Sequence, residues 1–116
     1  MIYASLTKDL EYNDKKPAVT VLLDTDTTRE LRIIMKKGQV MKEHQTPYPI
    51  VVEIFEGQIT FGANGESHKL KKGDLVYLEG AVPHILKAEV DSTVRLSLSK
   101  SDSAERVKGV ADNSSK

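Results

Sequence analysis

A chain of 116 residues suffices for one domain with one buried core, and 39% hydrophobic with 29% charged residues is the balance of a soluble globular protein. Lysine and arginine together number 17, as do aspartate and glutamate, which removes the electrostatic case for nucleic acid or an anionic membrane as partner. There is no cysteine, which excludes disulfides, thiolate nucleophiles and cysteine-ligated zinc. No apolar run approaches the roughly 20 residues of a membrane span, and no basic start followed by an apolar stretch marks a secretory signal, so the expected compartment is the cytoplasm.

In chain order, the first segment carries Ile2, Leu6 and Leu10, apolar residues that need cover, and runs into the polar connection Asn13-Asp14-Lys15-Lys16-Pro17. From there the pattern is alternation of period two, the mark of strands with one core face and one outer face. Val19, Val21 and Leu23 form the first run, and Leu31, Ile33 and Met35 the second. Ile50, Val52 and Ile54 form the third, with Glu53 on the opposite face. Ile59 and Phe61 follow the turn at Glu56-Gly57, and Asn64-Gly65 then suits a two-residue hairpin turn, since both residues tolerate positive φ. Lys72-Gly73-Asp74 is a further turn before Leu75 and Tyr77, and Val94, Leu96 and Leu98 form the last run. About eight to ten short strands punctuated this way predict an all-β sandwich or barrel over residues 1–100. Residues 101–116 read as a polar tail with a short helix near Ala104–Val110, capped by Ser101 or Asp102.

Two stretches carry a spacing of glycines and histidines. Gly38 is followed after five residues by His44, then Thr46, Ile50 and Gly57; Gly73 is followed by Glu79, Ala81, His84 and Ala88. The joint spacing of Gly38, His44, Gly57, Gly73 and His84 resembles the two motifs of the cupin superfamily. There a glycine precedes His-x-His, a glutamate and a closing glycine, and a second glycine precedes Pro-x-Gly, a histidine and an asparagine. The resemblance spans Gly38 to Ala88 and implies a small RmlC-like cupin, a double-stranded β-helix or jelly-roll barrel, with His44 and His84 at its mouth.

The departures matter as much as the matches. The family's metal site has three imidazoles and a carboxylate; here Thr46 stands for one histidine, Ile50 for the glutamate, Glu79 for the proline and Ala81 for the second motif's glycine. The resemblance therefore implies a degenerate site in which His44 and His84 are the remaining metal-ligand positions. They leave room only for weakly bound zinc, nickel, iron or manganese, and Thr46, Ile50 and Val52 are expected to line the pocket. Three functions remain open: a small-molecule-binding cupin of unassigned ligand, a cupin enzyme, and a regulatory or interaction module. The enzyme would be a metal-free isomerase, epimerase or lyase, or a weakly metal-dependent oxygenase or isomerase. Its proton-transfer candidates are His44 or His84 with Tyr48 or Tyr77, and Glu79 is the candidate to orient an imidazole. His68, between charged neighbours after the hairpin turn, is expected to be exposed. Small cupins are commonly dimeric, and the apolar first segment adds to the expectation of a homodimer.

Overall fold

The computed structural model describes residues 1–100, and the expected helix near Ala104–Val110 and the tail lie outside the described residues. Nine strands follow in order: β1 (Ala18–Asp24), β2 (Thr28–Met35), β3 (Val40–His44), β4 (Ile50–Glu56), β5 (Gln58–Ala63), β6 (Glu66–Lys71), β7 (Leu75–Leu78), β8 (His84–Ala88) and β9 (Ser92–Ser99). They form two antiparallel sheets, one in the order β1-β2-β9-β4-β7 and the other β3-β8-β5-β6. This is the jelly-roll arrangement, in which two sheets press their apolar faces together. Among the described residues no helix is long and apolar enough to cross a membrane.

The alternation read from the sequence selects the inner faces. Ile50, Val52 and Ile54 of β4 are 2%, 1% and 0% exposed, while Glu53 between them points outward and accepts a bond from Arg95 at 3.2 Å. Arg95 also reaches Glu30 at 3.0 Å, so the outer face of this sheet carries a charged cross-strand network where the inner face carries the core. Ile33 and Met35 of β2, Ile59 and Phe61 of β5, Leu86 of β8 and Val94 of β9 complete that core. The Asn64-Gly65 turn has both residues at positive φ, +54° and +74°, and sets the β5–β6 register with Ala63 opposite Glu66. Gly38, Gly57 and Gly73, the three glycines of the motif spacing, likewise sit at φ between +89° and +94°, in the region that side chains with a Cβ avoid.

Two features of β1 and β2 were not expected. Ile34 and Arg32 of β2 are buried on the outer face as well, because the first segment packs back over it. The Arg32 guanidinium donates to the backbone carbonyls of Ser5, Lys8 and Asp9 at 3.3, 2.8 and 3.4 Å, so one buried cation pins this segment through peptide dipoles. Val19 and Val21 pair with Ile33 and Leu31 and share their face, yet both are about half exposed, because β1 is an edge strand.

Candidate functional site

The antiparallel pairing of β3 with β8 places His44 directly opposite His84. Their rings meet edge to face, with centroids 4.3 Å apart and planes at 60°. Each imidazole is oriented by the carbonyl two residues before it: His44 Nδ1 lies 2.8 Å from the carbonyl of Lys42, and His84 Nδ1 lies 2.9 Å from the carbonyl of Val82. A carbonyl oxygen only accepts, so both Nδ1 atoms carry hydrogen, and Nε2 is left on each ring as the acceptor, base or ligand atom. His84 is 3% exposed, and burial pushes its pKa below the ordinary value. The Val82 carbonyl opposes that shift, while the nearby His44 adds to it. Phe61 stacks on the other side of His84, at 5.9 Å and 14°.

Phe61 is also a wall of a cavity of about 160 Å³ where the open edges of the two sheets diverge. Ala63, Val76 and Leu78 make its apolar sides, and Asn64, Glu66 and His68 its polar rim. The imidazole pair and this cavity thus share one aromatic ring.

The other sequence candidates lie elsewhere. The Thr46 hydroxyl donates to the Tyr48 carbonyl at 3.0 Å, and both residues line a separate cavity of about 260 Å³ with Arg29, Leu98 and Lys100. Neither imidazole is among the walls of that larger cavity. Ile50 and Val52 are packed in the hydrophobic core. Tyr77 is 58% exposed on the outer face of β7, because its neighbours Val76 and Leu78 take the inner one. Glu79 bonds the Tyr77 phenol instead of orienting an imidazole. Desolvation and then the charge of Glu79 push that phenol's pKa up, away from use as an acid near neutrality.

A resident metal does not fit these residues. Of the four ligand positions that the resemblance implies, only the two imidazoles offer donor atoms; Thr46 is engaged with a backbone carbonyl and Ile50 has none. Among the described residues no three histidine, cysteine or acidic side chains come together as a group that could hold an ion.

Glu66 carries no assignment from the sequence and His68 only the expectation of exposure, in a strand with a single apolar core residue, Leu70. The signal was available in the hairpin. A two-residue turn at Asn64-Gly65 puts Glu66 opposite Ala63 and His68 opposite Phe61, and therefore on the inner face. His68 is 63% exposed by side chain and its Nε2 lies 3.2 Å from Glu66 Oε1.

Comparison with known proteins agrees with this architecture. A family described as "Cupin domain" matches residues 31–99. No curated protein matches the chain in sequence. Among solved structures, it is similar to an RmlC-like cupin from Desulfovibrio desulfuricans, with a TM-score of 0.79 at 17% identity over 85% of this chain and 96% of that one. It is similar to KdgF from Halomonas sp., with a TM-score of 0.74 at 18% identity over 90% of this chain and 96% of that one. An RmlC-like cupin family protein with a double-stranded β-helix fold, from Methanocaldococcus jannaschii, has a TM-score of 0.66 at 19% identity over 78% of this chain and 86% of that one.

Proposed function

Because the chain belongs to the cupin family, we propose that it binds a small molecule at the barrel mouth, through Nε2 of His44 and His84, without a resident metal. The observation that carries this is the oriented imidazole pair itself. Both Nδ1 atoms are held by carbonyls at 2.8 and 2.9 Å, which fixes each ring before a ligand arrives and leaves its Nε2 as the acceptor. A hydroxyl or amide donor of a ligand is what two such nitrogens recognise. The test has two arms. Elemental mass spectrometry of protein purified without an affinity tag should find far less than one metal per chain. A thermal-shift screen of organic acids, sugars and aromatics should find compounds that stabilise the wild type more than His84→Asn, since binding to the native state must raise stability. Near-stoichiometric metal, or a library without any stabilising compound, overturns the proposal.

A second reading gives the same imidazoles a proton-transfer role in a metal-free isomerase, epimerase or lyase. Nδ1–H fixed by a backbone carbonyl favours it, because that bond orients a neutral histidine as a base. Solvent deuterium entering a stabilising ligand with wild-type protein, and not with His84→Asn, would distinguish turnover from binding.

A further inference from the structure

The inner face of an edge strand is an expensive place for a carboxylate unless it faces water or a ligand. On β6 that face carries Glu66, His68 and Leu70 in succession, and Leu70 is only 9% exposed. The ladder β3-β8-β5-β6 sets His44, His84, Ala63 and Glu66 in one row across the sheet, and Leu86, Phe61 and His68 lie in the adjoining row. Glu66 and His68 therefore look onto the same mouth as the imidazole pair. Their mutual bond, 3.2 Å between exposed groups, contributes little to folding stability and does not by itself account for their placement.

We propose that the Glu66–His68 pair is the recognition edge of the mouth and that it selects a compact organic cation, an ammonium group on a short apolar body, over anions of the same size. The inference rests on the small-molecule reading above and names the chemical class of the ligand. Size comes from the cavity of about 160 Å³, walled by Phe61, Val76 and Leu78, which is below the range of drug-sized pockets. Charge comes from the rim. Glu66 is its carboxylate, and among the described residues no lysine or arginine lines the cavity. The polar contacts follow from the pair's own bond. His68 Nε2–H donates to Glu66 Oε1, which leaves the second Glu66 oxygen as the open acceptor on this edge. An ammonium supplies three donors and a positive charge to that edge, while its carbon chain covers the apolar wall.

The experiment is a titration of isotope-labelled protein followed by amide NMR, with n-butylammonium chloride, sodium butyrate and 1-butanol at matched ionic strength. Butylammonium should shift the amides of Phe61, Ala63, Glu66 and His68 saturably, and butyrate should not. Glu66→Gln, which keeps the shape of a residue 73% exposed by side chain, should weaken butylammonium binding by about fivefold, as expected when a charge-assisted bond becomes a neutral one. Equal response to butyrate and butylammonium, or an unchanged affinity in Glu66→Gln, overturns the cation preference and leaves the small-molecule reading standing. No response at any mouth residue to any of the three probes overturns both.

Discussion

His84 is the residue where burial and titration conflict. Its lowered pKa means that the folded chain holds this proton less well than the unfolded chain does. Stability is therefore complete above the unfolded value of 6.5 and is lost as pH falls through 6.5 toward the lower folded value. Urea denaturation midpoints should fall between about pH 7.5 and pH 5, and His84→Asn, whose amide can still donate to the Val82 carbonyl, should flatten that slope. The carboxylates of Asp14, Asp24 and Glu89, with pKa values held below 3.8, 3.8 and 4.5 by Lys36, Lys100 and Thr60 respectively, lose their partners only at lower pH. Ile50 poses the converse problem. Thr46→His with Ile50→Glu supplies the missing imidazole and carboxylate at the family's spacing, but places the carboxylate at a site 2% exposed. The penalty should be a few kcal/mol, about 3. Thermal melting with and without nickel should show a low-melting double mutant that the metal stabilises more than it stabilises the wild type. Equal metal effects on the two proteins would mean that positions 46 and 50 do not join His44 and His84 around one centre.

At the scale of elements, two turn positions should respond with opposite signs to swapping glycine and alanine. Gly57 closes the β4–β5 turn at φ +93°, and a Cβ there would lie 2.2 Å from Ser92 Oγ. That hydroxyl cannot move cheaply. It accepts from the Gln58 amide at 3.1 Å and donates to the Val90 carbonyl at 2.7 Å, in a residue 1% exposed. Gly57→Ala should cost about 3 kcal/mol or more by chemical denaturation, from left-handed strain and the clash together. Ala81, by contrast, already occupies a left-handed conformation at φ +64°, at the position where the family motif has glycine, and its amide donates to the Thr46 carbonyl. Ala81→Gly should stabilise the protein by about 0.5–1 kcal/mol, relief of backbone strain outweighing the added freedom of the unfolded chain. A destabilised Ala81→Gly would show that this loop holds alanine without strain.

At the scale of the whole molecule, the first segment and β1 remain incompletely covered. Ile2 and Leu10 are 65% and 40% exposed, and Val19 and Val21 of the edge strand are 50% and 54% exposed. An open strand edge flanked by apolar side chains is a template for pairing, and a two-fold axis lets one surface cover its own copy. We expect a homodimer, with a mass twice that of one chain by light scattering at micromolar concentration, and Val21→Lys should shift it toward monomer. A wild-type monomer at that concentration would leave these residues to solvent and overturn the expectation.

What the chain determines locally could be read locally. Period-two alternation assigns inner and outer faces within a strand, so the burial of Ile50, Val52 and Ile54 and the outward turn of Glu53 were legible before any strand order was known. So were the turns, because positive φ at Gly38, Gly57 and Gly73 is a property of single residues. Alternation fails where a strand's inner face is polar or aligns with an open edge, which is why β6 hid that Glu66 and His68 face inward and why Val19 and Val21 look like core residues. Which strands pair is a non-local matter: His44 and His84 are forty residues apart, and only the β3–β8 ladder makes them partners. The separation of Tyr77 from the mouth, the diversion of Thr46 to a neighbouring carbonyl and the pinning of the first segment by Arg32 likewise depend on packing between elements. Side-chain periodicity carries no information about distance across the barrel, so the faces belonged to the sequence and the site to the tertiary structure.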